Sequence, residues 1–587
     1  MDKSAMNMTA RVMFRLLPIQ VLLAAMGAIN GIVTGLFAAN TVGKDAMTAV
    51  GLYSPIGLFV MSVSTVFLGG AMILCGQYMG RAQKDRTQNV FSIDLIACFV
   101  VAGIITLFHV AVTFLPGGFL THDPAIWALF RPYLLGQAIG VIPLILGNHL
   151  AAFLSLENNL RRATAGSVIF IAVNVVLSYV FLVVLDLEAF GLALAASLGL
   201  WVFFIVVAGP FVSGQSGFRL SLKNREWKEC LSIFKIGLPG ALGNIYQTLR
   251  GLIVNGIILS AVGSAGLSAF ATSGSLLGLV WAVPGGMLSV SRMFISVAQG
   301  EEDRTTLVDI MRTAMYWFFP LMTVIGLVVT LLAVPLTRLY YRDVSDPVFQ
   351  MTVNAFRILP LCMPLSLIST HFSCYWQSSE RLFPVYLIAF LDGWATVSLF
   401  SFLLVRVMGM NGVYWANVIN GVVSAIAVAV YAAVKLKKIP ANMAELMVIP
   451  DSFGVSEDAR IDISFHNKEE ISHIAEKIQK FCLGRGIEQR RAYFSGLAME
   501  EMAANVYENG FGNFGLVNSA DIRVAHKDDD VILVIKDDCL GFDPQERLDV
   551  HDEEDDTKNI GIRMVYSIAR QVTYRKLLGL NVLTIRM

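Results

Sequence analysis

Three short segments near the C-terminal end carry residues that could do chemistry together. Glu501 and Asn505 stand four apart in a stretch that reads as a helix over 488–509, so they share one face. A carboxylate and an amide placed so can give oxygen ligands to Mg²⁺ and orient an attacking hydroxyl. Asp537 ends an apolar strand-like run and opens Asp537-Asp538-Cys539-Leu540-Gly541. An Asp at a strand end can accept a hydrogen bond from an adenine amino group, and Gly541 lets the backbone turn close to a flat ring. Gly561-Ile562-Arg563 then opens a helix, whose first amides and dipole favour phosphate. Each segment alone has a plainer reading: an exposed polar face, an acidic turn, a glycine before a helix. Their order within one short stretch is what points to a nucleotide.

A second set of candidates lies in apolar surroundings. Asp392 sits mid-way along a run over 384–407. A carboxylate in lipid is costly and is a functional candidate by default, the alternative being a structural hydrogen bond to a neighbouring helix. His149 and His371 fall at similar places in two other runs; histidine titrates near neutrality, but a lone membrane histidine is more often packed and hydrogen-bonded. Arg250, with Gln247 and Asn255, lines one stretch of a further run, where it either repels cations or pairs with Asp392.

The elements that must hold these residues follow from composition. The chain has 587 residues, 56% of them hydrophobic, and 15% charged, with zero formal net charge. This places it in the membrane class and gives no basic footprint for nucleic acid. Seven cysteines without CxxC spacing argue against a zinc site or a disulfide framework. The first apolar run is long enough to span, so it does not read as a signal peptide. About 12 stretches are apolar and long enough to cross a bilayer, near 16–41, 52–80, 90–114, 132–156, 165–185, 190–212, 236–262, 270–299, 309–335, 353–377, 384–407 and 412–434. Lys and Arg concentrate in alternate loops, which puts both termini in the cytoplasm of a cell membrane. Pro18, Gly43, Gly80, Pro143 and Gly191 match Pro239, Gly263, Gly300, Pro364 and Gly412 at an offset of 220 or 221. That register marks a duplication of six spans, residues 1–219 and 220–437, and an even number of spans makes the halves parallel. Such bundles place a substrate near the midplane between halves.

The twelve spans, the repeat, Val42-Gly43-Lys44-Asp45-Ala46-Met47-Thr48-Ala49-Val50-Gly51 and Gly76-Gln77-Tyr78-Met79-Gly80-Arg81 together resemble the MATE family of multidrug and toxin extrusion transporters over about residues 10–437. The resemblance implies export of small organic solutes in exchange for H⁺ or Na⁺. It also marks a departure. Where many members carry an Asp in span one this chain has Thr34, and where many carry Asn-x-x-x-Asp in span five it has Asn174-Val-Val-Leu-Ser178. Coupling through those carboxylates is therefore not available here.

After a Pro- and Gly-containing linker over 438–457, residues 458–587 read as an α/β layered domain. Strands are predicted at 460–465, 520–526, 531–537 and 581–586, with helices over 468–483, 488–509 and 560–570. The three segments of the first paragraph, in this setting, resemble the GHKL ATP-binding fold, and more narrowly the anti-sigma-factor serine/threonine kinases. The resemblance implies ATP and Mg²⁺ as cofactors, Glu501 as general base, Asn505 as magnesium ligand and Asp537 as the adenine reader. Gly541 and Gly561 border the nucleotide and Arg563 reaches its phosphates. Cys539 stands where that family has Gly. Glu500, Glu508 and Asn509 are nearby alternatives, and His466 and His473 read as surface residues. The expected protein is thus a MATE-like exporter with a kinase-like cytosolic domain acting on, or bound by, a protein partner. The alternative is a membrane-anchored sensor kinase or anti-sigma-type regulator whose bundle binds a ligand without moving it. Pumping driven by ATP is disfavoured, since no Walker A sequence is present.

Overall fold

The computed structural model of the chain describes residues 7–37, 41, 44–115, 124–157, 159–221, 226–341, 343–511, 519–527, 529–539, 541, 543–549 and 560–587. Gly43 and Leu540, and the loop charges Lys223, Arg225 and Arg342, lie outside them.

Long apolar helices dominate, because runs of twenty or more apolar residues bury their backbone amides only by bonding within the segment. The first half consists of α1 Met8–Phe37, α2 Lys44–Gly80, α3 Lys84–Thr113, α4 Pro124–Leu156, α5 Leu160–Tyr179 and α6 Glu188–Val212. The second consists of α7 Lys228–Ala261, α8 Ser264–Gly300, α9 Arg304–Leu331, α10 Pro347–Ser378, α11 Leu382–Met408 and α12 Met410–Leu436. Among the described residues, 11 helices are long and apolar enough to cross a membrane, not the twelve expected. The difference is α7. It is 34 residues long, but Asn244, Gln247, Arg250 and Asn255 dilute its apolar character.

The halves meet where α1 packs on α8 and α2 packs on both α7 and α8. One close approach is at one end of the bundle, between the repeat-related Gly80 and Gly300. A Cβ on Gly80 would lie 2.3 Å from the Val297 carbonyl oxygen, and one on Gly300 would lie 2.1 Å from that of Gln77. Only glycine lets two backbones come this close. Gln77 adds a hydrogen bond from Nε2 to the Ser378 carbonyl, 2.7 Å, which ties α2 to α10.

At that same end lies the tail domain, a five-stranded antiparallel sheet in the order β1-β2-β3-β5-β4. Its strands are β1 Arg460–Phe465, β2 Ala520–Lys527, β3 Asp530–Asp537, β4 Gln571–Leu577 and β5 Leu580–Arg586. Helices α13 Ile474–Gly484, α14 Gln489–Gly510 and α15 Ile560–Ile568 cover one face. Strict alternation along β3 explains the layering. Val531, Leu533, Ile535 and Asp537 are buried, and Ile478, Met499, Met502, Ile562 and Val565 of the helices join the same core. The residues between them, Ile532, Val534 and Lys536, face the opposite side of the sheet, toward the membrane bundle.

Candidate functional sites

In the tail, α14 carries Glu501 and Asn505 one turn apart. Asn505 Nδ2 donates to the Glu501 carbonyl oxygen at 2.9 Å and to its Oε1 at 3.1 Å. Gly561 opens α15 directly against this pair: a Cβ there would lie 1.8 Å from Glu501 Oε1. A carboxylate at a helix N-terminus is favoured by the free amides and the dipole. The chain therefore brings Glu501, Asn505 and Gly561 together, while Arg563 lies exposed on the same helix.

Asp537 ends β3 and is 5% exposed. Its Oδ1 accepts from Asn581 Nδ2 at 2.6 Å and from the Cys539 amide at 3.1 Å. Burial outweighs these hydrogen bonds and pushes its carboxyl up to about 6. Asn581 also donates to the Cys539 carbonyl at 3.1 Å and accepts from the Tyr574 hydroxyl at 3.0 Å. Asn581 was not a sequence candidate; it sits at the start of an ordinary-looking strand, and only pairing of β3 with β5 sets it opposite Asp537. Cys539 fits because Gly510 has no side chain: a Cβ on Gly510 would lie 2.7 Å from Cys539 Cβ. Burial, with Asp537 and Asp538 beside it, pushes the Cys539 thiol up. A Cβ on Gly541 would lie 2.3 Å from Lys576 Cε, the far end of a flexible side chain that can move aside. The cavity at Asp537 has a volume of about 20 Å³, lined by Met502, Val506, Gly510, Cys539, Tyr574 and Leu583. That is room for about one water, so this cavity does not by itself hold a purine ring.

In the second half of the bundle, Asp392 lies in a π-helical turn, Leu391–Ala395, within α11. Such turns expose backbone groups and recur at functional sites. Its carboxylate accepts from Asn420 Nδ2 on α12 and from Ser369 Oγ on α10, the latter at 3.3 Å. Arg250 Nη1 reaches the Asp392 carbonyl oxygen at 3.4 Å. Four helices thus converge on one polar cluster. His371 is packed: Nδ1 lies 2.8 Å from the Leu367 carbonyl and Nε2 3.0 Å from Ser291 Oγ.

In the first half, Asn174 Nδ2 donates to Asn30 Oδ1 at 2.7 Å and Ser178 Oγ donates to Asn174 Oδ1 at 3.4 Å. Thr34 stands one turn after Asn30 on α1 and is half-buried. This α1–α5 cluster contains no ionisable group. His149 instead meets a residue the sequence reading passed over: its Nδ1 is 2.7 Å from Asp94 Oδ2, and both side chains are fully buried. The signal was present, an Asp inside the third apolar run, four residues before Cys98.

The tail docks on the bundle through charge. Glu301, Glu302 and Asp303 form the turn after α8. Lys536 Nζ binds Glu301 at 2.7 Å and Asp303 at 2.9 Å, Lys527 binds Glu302 at 2.5 Å, and Arg523 binds Asp303. Burial opposes ionisation of Asp303, but Lys536 and Arg523 overcome it and hold its carboxyl far below the usual carboxylate range. Arg575 reaches both halves. Its Nη1 donates to the Met79 and Gly80 carbonyls at 2.6 and 2.7 Å, and its Nη2 lies 3.6 Å from Glu301. A cation at the C-terminus of α2 is favoured by that helix's free carbonyls. Arg11 of α1 lies 3.5 Å from Asp538, next to Asp537, and also donates to Ser519. Arg15 Nη2 donates to the Gly579 carbonyl at 2.8 Å.

The architecture has known relatives. The MatE family profile matches residues 20–180 and 239–392, more than half of the chain. The chain belongs to the MatE family. Solved structures agree on the fold at low sequence identity. A MATE in complex with MaD3S superposes with TM-score 0.68 at 19% identity, covering 73% of this chain and 97% of the other. The outward-facing conformation of a multidrug resistance MATE family transporter of the MOP superfamily gives TM-score 0.67 at 19% identity, covering 73% and 96%. A MOP superfamily transporter from Pyrococcus furiosus, described as having a binding pocket of reversed polarity, gives 0.65 at 19%, covering 73% and 96%. Among curated proteins, no match is found. This MatE protein is therefore a multi-pass membrane protein with the MATE transporter fold, carrying a tail domain in addition.

Proposed function

We propose that this MatE protein is an exporter of small organic solutes in the cytoplasmic membrane, exchanging substrate for H⁺ or Na⁺, with its tail in the cytoplasm as a regulator. The observation that carries the reading is the junction of the two halves at the tail side. The repeat-related Gly80 and Gly300 pack backbone to backbone there, and Arg575, Lys536 and Arg523 of one rigid sheet bind that same end. Alternating access requires this junction to part, so a domain bound to both sides of it favours the state closed toward the cytoplasm. Release of the tail frees the bundle to cycle. Asp392, with Arg250, Ser369 and Asn420, is the proposed substrate-facing polar cluster of the second half.

The proposed signal for release is a nucleotide. Glu501 and Asn505 are a suitable oxygen pair for Mg²⁺, and Asp537, Gly541, Gly561 and Arg563 surround the rest of the ATP-type site that the GHKL resemblance implies. Binding requires the cavity at Asp537 to widen. Because Asp538 follows Asp537 and contacts Arg11 of α1, widening would be felt directly by the bundle. A protein acceptor or partner for the tail belongs to the same reading.

The test is transport by purified protein in liposomes. A fluorescent organic cation should accumulate against its gradient when a pH or Na⁺ gradient is imposed, and removal of residues 451–587 should raise the rate. No movement under either gradient would favour a ligand-binding sensor. An unchanged rate after truncation would remove the regulatory role.

A further inference from the structure

We propose that Asp94 and His149, with Ser64, form a proton-binding site in the first half of the bundle. The proposal rests on the exchange reading above and names the group that takes the proton. Asp94 lies on α3 and His149 on α4, and neither is exposed to solvent. Asp94 is the fully buried carboxylate among the described residues of α1–α6. The places where many family members carry acids are held by Thr34 and Ser178, and the Asn30–Asn174–Ser178 cluster cannot take up a proton.

The geometry provides for two proton states. His149 Nδ1–H donates to Asp94 Oδ2 at 2.7 Å in both. Nε2 faces Ser64 Oγ at 3.3 Å. A hydroxyl donates or accepts by rotating. With a neutral ring, Ser64 donates to the Nε2 lone pair. When a proton binds that lone pair, the new Nε2–H donates and the Ser64 hydroxyl turns to accept. No polar atom is left unpaired in either state, which a dry interior demands. The pair passes from one net negative charge to zero. His371 makes the contrast. It too has a serine on Nε2, but its Nδ1 partner is a backbone carbonyl and not a carboxylate that could balance an imidazolium.

The surroundings connect the site to the other half. Cys98 Sγ lies over the imidazole, 3.6 and 3.7 Å from its two nitrogens and 3.8 Å from Asp94 Oδ1. The other titratable groups nearby are Cys75 and Tyr78 on α2 and Glu229 and Cys230 on α7; α6 presents Phe203 beside Gly147 of α4. Tyr78 donates to Glu229 Oε1 at 2.9 Å, Arg86 lies over the Tyr78 ring, and Cys75 is within electrostatic reach of both carboxylates. Helix α7 belongs to the second half. Loss of the proton therefore places a second negative charge near Glu229 at the junction between halves, and gain of it removes that repulsion.

The test uses the full chain with Asp94→Asn and His149→Gln. In liposomes, each should lose the pH-gradient-driven component by about tenfold or more while keeping downhill substrate exchange, which also certifies folding. Difference infrared spectra between about pH 5 and 8 should show carboxylate and imidazole bands that vanish in Asp94→Asn. A pH-gradient-driven rate unchanged by Asp94→Asn would overturn the site, as would infrared differences that the substitution does not alter. Bands that vanish in a protein that moves no substrate would uphold the proton site and sink the exchange reading alone.

Discussion

Asp537 shows how much a single environment can alter an acid. Its ordinary value is 3.8 and burial pushes it up to about 6. The folded tail thus holds a proton that the unfolded chain releases. The stabilisation from that proton is fully present below about pH 4 and is lost as pH rises through about 6. Linkage puts the swing at about 3 kcal/mol. Asp537→Asn should remove this dependence, so the difference in melting temperature between variant and parent should grow as pH rises from 4 to 7. A constant difference would mean the carboxyl is not protonated on folding. The residue that supplies the main partner, Asn581, was invisible in the sequence because a strand Asn is unremarkable until its opposite neighbour is known. Asp94 was missed for another reason. Asp392 stands mid-way along its apolar run, whereas Asp94 lies only four residues inside the run over 90–114, close to its charged end.

At the scale of elements, period and length carried most of the reading. The apolar runs became helices, and the alternation of Arg460-Ile-Asp-Ile-Ser-Phe465 became β1. The segment Gln571–Leu577 was not read as a strand, because Arg575 and Lys576 break its apolar pattern; it pairs as the edge strand β4, with Arg575 turned toward the bundle. The helix expected over 468–483 is split, with a turn at Ser472 between Lys468–Ile471 and Ile474–Gly484. Nor could spacing alone show that two repeat-related glycines touch. Gly300→Ala tests that contact. Its Cβ would press on the Gln77 backbone at 2.1 Å, and a rigid backbone yields little, so overpacking should cost about 1–3 kcal/mol. Gly256→Ala on α7 is the control, with nothing within 4 Å of its Cβ; there the helix should gain about 0.5–1 kcal/mol. Equal melting shifts for the two variants would contradict the close packing.

The whole molecule is held together where an acidic turn meets a basic sheet face. The Lys536 pairs with Glu301 and Asp303 are largely buried, so breaking one partner strands a charge, at a cost of about 3–5 kcal/mol. Lys536→Glu sets a third carboxylate against Glu301 and Asp303 and should release the tail, read as faster proteolysis of the linker over 438–457. Adding Glu301→Lys restores one opposite pair across the former 2.7 Å contact and should recover protection in part; it also removes the Arg575 partner, so recovery should stay incomplete. Acid should act only late. The Asp303 carboxyl is held far below its ordinary 3.8, so its contribution to docking is present above that value and is lost as pH falls through the lower one. The turn's own contribution to linker protection should then be flat from about pH 5 to 8, leaving Asp309 beside it, pushed up to about 6 by burial, as the group that titrates in that window. A tail that undocks within that window would show that docking depends on groups other than the turn. A single mutant that keeps full protection would show that the sheet is held by its fit to α1 and α2 rather than by charge.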